Sequence, residues 1–311
     1  MYAAAKYPDD DTRIYIYKDA PIDSVKSEMT SKLGPSYGTT LFELWRLLKG
    51  TPEKSYGSYV IRKGEKAIFA ARRIEKRRQD PVKLVLTNIR TRDKLAEKVG
   101  DSMHFSDAEF LAAADSTLNV AGLEPVQLTA SIFPDTYEFY WTTEPATVVS
   151  RLMKTHGDFW TAARKQKAAE LGLTPEQVHT IASIVYCESK MKDEWGDIAR
   201  LYLNRLQKGM PLQADPTVVF GIGDFSIRRV ESRHLQSESP YNTYKNRGLP
   251  PGPIYMVERA VVDSVLNAPE REWLYMCARS DFSGYHDFAK DYNAHRINAA
   301  RYHRALTARG L

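Results

Sequence analysis

Glu188 is the residue whose type and spacing point most directly to chemistry. It follows Ile181 by seven residues, Ile184 by four and Val185 by three. A helix turning ~100° per residue brings position i+7 back to within about 20° of position i. A helix here therefore aims the carboxyl group at the side on which the apolar residues are buried. There its charged form loses hydration, its pKa rises, and it stays protonated near neutral pH, as a general acid must. The same pattern also suits a glutamate that pairs with a basic residue or bends to solvent at the helix end, so spacing alone leaves both readings open.

Two later blocks carry side chains suited to holding a polar substrate. In Leu212-Gln213-Ala214-Asp215-Pro216-Thr217-Val218, the polar residues Gln213, Asp215 and Thr217 alternate beside a proline, a pattern better suited to lining a cleft than to filling a core. Tyr241-Asn242-Thr243-Tyr244 precedes Gly248-Leu249-Pro250-Pro251-Gly252-Pro253-Ile254, a stiff loop beside aromatics and an amide. Flat rings suit the apolar face of a sugar and amides its hydroxyls. Tyr241, Asn242, Tyr244, Gln213, Asp215 and Thr217 are thus candidate binding residues, an ordinary loop being the alternative. Asp215 either holds its loop by side-chain hydrogen bonds or serves as a second acid. His286 is a candidate contact or a structural histidine.

No metal or cofactor is expected. The histidines show no paired ligand spacing, and Gly221-Ile222-Gly223 lacks the glycine and the setting of a phosphate loop. Cys187 and Cys277 are the two cysteines, too few for a disulfide scaffold. Cys187 reads as a small packed residue, a catalytic thiol being the alternative.

The element that must position Glu188 has a clear start. Thr174 can cap, Pro175 fits the first turn, and Gln177 completes a capping box, which predicts a helix from Pro175 to about Met191. A second amphipathic helix follows from Asp197 to Lys208, closed by Gly209. Upstream, strands are predicted at Arg13 to Tyr17, Tyr56 to Arg62 and Val82 to Thr87. Helices are predicted at Ile22 to Met29, at Leu41 to Leu48 with Thr39 and Thr40 as caps, at Ala67 to Arg78, at Thr91 to Val99 and over Phe105 to Asn119. Pro81 blocks continuation of a helix and marks a domain boundary near Asp80.

The chain has 311 residues, 43% of them hydrophobic, enough for two domains with real cores. Its 44 basic and 39 acidic residues leave a mild positive balance that suits anionic surroundings without choosing a partner. The basic run Arg72 to Arg78 reads as a solvated helix end complementing the helix dipole rather than as a nucleic-acid patch. No apolar run is long enough to span a membrane, and the start, Met1 to Tyr7 followed by acidic residues, carries no leader signal.

Taken in order, these blocks resemble the endolytic murein transglycosylases of the MltG (YceG-like) family. The resemblance rests on Ala182-Ser183-Ile184-Val185 with Glu188, on Leu203-Asn204-Arg205-Leu206, on Leu212-Gln213 with Asp215-Pro216-Thr217-Val218, and on the Tyr241 and Gly248 blocks. Phe133-Pro134-Asp135-Thr136-Tyr137, Leu274-Tyr275, His286, Phe288 and His295 also match. Tyr186-Cys187 and Ala130-Ser131 depart from the usual pattern. The resemblance implies an α+β fold, with a small LysM-like βα domain at 1–80 and a mixed α+β catalytic domain at 81–311.

It further implies non-hydrolytic cleavage of the β-1,4 bond between N-acetylmuramic acid and N-acetylglucosamine, with Glu188 first as acid and then as base and no cofactor. The implied partners are peptidoglycan glycan strands and peptidoglycan synthases, not nucleic acid. The family is anchored in the inner membrane by one amino-terminal helix, with its catalytic domain outside. This chain lacks that helix, so the resemblance implies a shortened soluble form with Met1 as an artificial start.

Overall fold

A computed structural model describes Pro8 and residues 10–310. The reading that Met1 to Tyr7 hold no leader signal lies outside the described residues. The elements are mixed α and β, and the strands form three separate two-stranded sheets among the described residues. The chain divides into two compact units. The first takes the residues up to 85, 97–110 and 136–148, and the second 86–96, 111–135 and 149–311.

The first unit opens with β1 (Thr12–Ile16), α1 (Ile22–Leu33), α2 (Pro35–Leu47), α3 (Pro52–Ser55), β2 (Gly57–Ile61) and α4 (Ala67–Glu75). The antiparallel pairing of β1 with β2 sets Ile14 against Tyr59 and Thr12 against Ile61. Ile14, Ile16, Tyr59 and Ile61 are fully buried against Met29, Leu41, Trp45 and Ile74 from the helices. The α2 helix begins at Pro35, so Thr39 and Thr40 lie inside it rather than capping it. Pro35 brings a preset φ to the first turn. Gly38 lets α2 approach α1, because a Cβ there would sit 2.4 Å from the Met29 carbonyl oxygen.

The basic run after Ala67 is less solvated than its composition suggests. The helix ends at Glu75 and Arg77 takes a positive φ of 52°. Arg73 turns inward, pairs with Glu65 and Asp80, and donates to the Val60 carbonyl at 2.6 Å.

Next come β3 (Val82–Leu86), α5 (Arg92–Gly100), α6 (Asp107–Val120), β4 (Asp135–Phe139) and α7 (Pro145–Phe159), with β3 paired to β4. The stretch read as a loop after Gly122 contains a short 3-10 helix, Pro125–Ala130.

The second unit then adds α8 (Ala162–Glu170), α9 (Pro175–Glu188), α10 (Trp195–Gln207), α11 (Asp215–Ile222), α12 (Arg259–Leu266), β5 (Tyr275–Ala278), β6 (His286–Ala289) and α13 (Tyr292–Ala308). Its core forms around α9, which packs on α10, α11 and α12. Val178, Ile181, Ala182, Ile184 and Val185 have no exposed surface. Each of the larger aliphatic chains contributes roughly 1.5–3 kcal/mol by that burial. The expected capping box is present: Gln177 N–H donates to Thr174 Oγ1 at 3.3 Å, and Thr174 N–H to Gln177 Oε1 at 2.9 Å. No helix among the described residues is long and apolar enough to cross a membrane.

Candidate active site

The α9 helix stops at Glu188, three residues short of the sequence expectation, and a hydrogen-bonded turn accounts for the stop. Ser189 adopts an extended conformation, its hydroxyl oxygen accepts from Met191 N–H at 3.0 Å, and its carbonyl accepts from Trp195 Nε1 at 3.0 Å. Glu188 is thereby the last helical residue. Its side chain is half-buried at a cleft of about 390 Å³, which is also lined by Tyr186, Cys187, Asp215, Phe225 and Tyr255.

Tyr202, on the buried face of α10, donates its hydroxyl to Glu188 Oε1 at 2.6 Å. Burial raises the Glu188 pKa to about 7; the Tyr202 hydrogen bond opposes the rise, the charge of Asp215 adds to it, and Arg205 opposes it. The net result is a carboxyl group poised between its two protonation states at neutral pH. Tyr202 itself is raised well above the usual tyrosine value by burial, so it remains a neutral donor. With Oε1 occupied by that donor, Oε2 is the oxygen left to carry a transferable proton.

The two polar blocks read from the sequence meet in space. Gln213 N–H donates to the Thr243 carbonyl at 3.1 Å, and Ala214 N–H to Thr243 Oγ1 at 3.0 Å. Thr217 is fully buried: its hydroxyl donates to the Ala214 carbonyl at 2.7 Å and lies 2.8 Å from Thr243 Oγ1. Rather than a plain loop, the segment starts α11 at Asp215, and Pro216 fits its first turn. Tyr244 donates to Asp215 Oδ1 at 2.6 Å. The Ser183 hydroxyl on α9 accepts from Ile254 N–H at 3.0 Å, fixing the proline-rich loop to the helix that carries Glu188.

The candidate binding residues fall in different places. Asp215 lines the cleft with Glu188. Gln213 is exposed and holds a positive φ of 53°, a conformation that strains any residue with a Cβ. Asn242 is completely buried; its amide donates to the carbonyls of Leu235 and Ser237, and its Oδ1 accepts from Tyr244 N–H. Tyr241 packs half-buried against Phe220, with ring centroids 4.7 Å apart, and burial pushes its pKa up to about 12. Gln213, Thr217, Tyr241, Asn242 and Tyr244 therefore surround the Asp215 side of the cleft without forming its wall.

His286 belongs to a second cluster. Its Nδ1 lies 3.0 Å from Glu194 Oε2, and its backbone N–H donates to Glu194 Oε1 at 2.7 Å. Buried Glu194 also accepts from the Ser189 hydroxyl at 3.3 Å. The cluster braces the turn that ends α9 directly behind Glu188. Cys187 is held as a thiol, because burial pushes its pKa up to about 12. Among the described residues no group of three or more His, Cys, Asp or Glu side chains could hold a metal ion.

Tyr202 and Glu194 are not singled out by the sequence, and Arg205 enters there only as part of the Leu203-Asn204-Arg205-Leu206 match, with no role. Tyr202 and Arg205 follow Ile198 on the inward stripe of α10, a spacing visible in the sequence but indistinguishable there from ordinary core residues. Arg205 donates to the carbonyls of Leu274 and Leu212, both at 2.7 Å, and so ties the residue before β5 to the residue before Gln213. Glu194 falls in a short turn whose periodicity carries no signal.

Comparison with known proteins agrees with this architecture. The endolytic murein transglycosylase of Bacillus subtilis is 33% identical over 153 residues, covering 48% of this chain and 41% of the relative. That of Streptococcus pneumoniae serotype 2 is 27% identical over 160 residues, covering 49% and 28%. The chain thus spans less than half the length of these curated relatives. A crystal structure of a yceG-like protein from Listeria monocytogenes shares the fold, with a TM-score of 0.61 at 21% identity over 93% of this chain and 98% of that one. The model of the YceG-like family matches residues 14–301, and the chain belongs to that family.

Proposed function

We propose that this chain is a lytic transglycosylase acting on murein, cutting the β-1,4 bond between N-acetylmuramic acid and N-acetylglucosamine within glycan strands. The observation that carries the reading is Glu188 itself, a cleft carboxyl group raised to about 7 and fixed through Oε1 by Tyr202. The names of the curated relatives, endolytic murein transglycosylases, support it.

Protonated Glu188 gives its proton to the glycosidic oxygen as the bond to C1 breaks. The resulting carboxylate then takes the proton of the muramic C6 hydroxyl while that oxygen closes on C1, leaving a 1,6-anhydro end. One carboxyl group performs both transfers, and a value near 7 serves both directions. Asp215, held by Tyr244, is assigned to positioning and to keeping the Glu188 pKa high. On this reading the residues around Asp215 (Gln213, Thr217, Tyr241, Asn242 and Tyr244) shape the sugar-binding side, and His286 braces the helix end.

The same reading assigns residues 1–80 to a LysM-like wall-binding unit. It has the enzyme working on the wall from the outer face of the inner membrane, with peptidoglycan synthases as neighbours. Purified sacculi digested with the protein and analysed by mass spectrometry test the reaction. Anhydro ends are one water lighter than the ends left by a hydrolytic muramidase, and a binding module releases neither.

A further inference from the structure

Three cations line the Glu188 cleft: Arg90, Lys190 and Arg228. Among the described residues none of them forms an ion pair or a side-chain hydrogen bond. Several other arginines of the same unit are engaged. One Arg92 nitrogen donates to both Asp115 oxygens, Arg164 is bidentate on Asp263, and Arg205 donates to backbone carbonyls.

Arg90 is half-buried, and its guanidinium carbon lies 4.6 Å from the Phe225 ring centroid and 5.7 Å from that of Tyr255. Lys190 Nζ lies 4.4 Å over the Tyr186 ring, which in turn lies 5.0 Å from Tyr255. Aromatic faces hold a cation without using its N–H donors. Those donors are therefore preset for an anion, and a guanidinium matches a carboxylate with two parallel bonds.

We propose that Arg90, Lys190 and Arg228 form an anion subsite beside Glu188 that holds a carboxylate carried by the glycan strand. This rests on the peptidoglycan reading above. Two sources supply that chemistry: the carboxylates of the stem peptides, and the lactyl carboxylate that is freed when a stem is removed. The subsite selects strands by the charge on their substituents, while Glu188 acts on the sugar backbone common to all of them.

The test compares wild type, Arg90→Gln, Arg90→Lys and the exposed-site variant Lys190→Gln on four preparations of uncrosslinked strands. These are native strands, native strands with their carboxylates amidated, strands stripped of stems by an amidase, and stripped strands then amidated. Amidation of the strands that carry the recognised carboxylate, native or stripped, is expected to lower wild-type kcat/KM about tenfold, the size of a few partly exposed ion pairs together. Arg90→Gln should fall by a similar factor on those strands and match wild type on their amidated forms, with Arg90→Lys and Lys190→Gln in between.

A gap present on native strands and absent on stripped ones identifies the stem carboxylates; one that appears only on stripped strands, and closes when these are amidated, identifies the lactyl group. Equal wild-type rates within both pairs, native with amidated native and stripped with amidated stripped, or a variant defect independent of substrate charge, overturn the subsite while leaving the transglycosylase reading intact. Failure of wild type to cut any of the four removes that reading and the subsite with it.

Discussion

The Tyr202 hydroxyl meets Glu188 Oε1 at 2.6 Å, fourteen residues along the chain and one helix away. This contact ties the acid to the core rather than to solvent. It also favours the charged form of the carboxyl group, opposing the burial that raises the Glu188 pKa.

Removing that hydroxyl has a signed consequence for the pH profile. A charge-assisted hydrogen bond is worth about 1.5–3 kcal/mol, or roughly one to two pKa units. On the proposed mechanism the alkaline limb of kcat/KM follows loss of the Glu188 proton, and in Tyr202→Phe it is expected to move upward by about one unit. Turnover at the optimum should drop about tenfold as the carboxyl group loses its orientation. Initial rates on soluble strands from pH 5 to 9 check both, and an unmoved alkaline limb would separate Tyr202 from the acid.

Glu188 also leaves a mark on stability. Its folded value of about 7 lies above the ordinary 4.5, so its contribution to stability is fully present below pH 4.5 and is lost as pH rises through 7. In Glu188→Gln that loss disappears. After allowance for solvent at the cleft, the variant should be more stable than wild type by roughly 1–2 kcal/mol at pH 8 and equal to it near pH 4. Thermal melts at the two pH values read the difference directly.

Gln213 occupies a left-handed backbone conformation that costs a residue with a Cβ about 1 kcal/mol relative to glycine. Gln213→Gly is therefore expected to raise the melting temperature by a few degrees. If the side chain touches the substrate, KM on glycan strands rises in the same variant. Gln213→Ala, which keeps the strain, should show the KM effect without the gain in stability.

Asn242 is fully buried with both amide donors and its acceptor engaged. Asn242→Ala leaves the Leu235 and Ser237 carbonyls unpaired and should cost about 2–4 kcal/mol. It also releases the backbone of Tyr244, and with it the grip on Asp215. Chemical denaturation measures the first effect, and a rise in KM on glycan strands the second.

The sequence exposed the helix that carries Glu188 because that helix announces itself locally. The Thr174 and Gln177 capping box and the apolar stripe from Val178 to Val185 are short-range signals, and both are present. Its end lies three residues before the one the periodicity predicts, because the stop depends on Ser189 and Trp195, contacts that no local period encodes. The α2 start differs for a similar reason: Thr39 resembles a cap, but Pro35 fixes the first turn.

The polar blocks were legible as a site but not in their roles. Thr217 and Asn242 look like binding groups by type, yet both are buried and hold backbone in place. Arg90 reaches the cleft from a segment ninety-eight residues before Glu188, so only tertiary packing brings it there.

On the mechanism proposed above, the Glu188 carboxyl group performs both proton transfers. The most direct test is digestion of purified sacculi by Glu188→Gln beside wild type at pH 6.5, with anhydro-muropeptides counted by mass spectrometry and folding checked by circular dichroism. A folded variant is expected to release anhydro ends at least a thousandfold more slowly, the scale of losing a general acid and base together. Release at a rate within tenfold of wild type would show that another group does this chemistry.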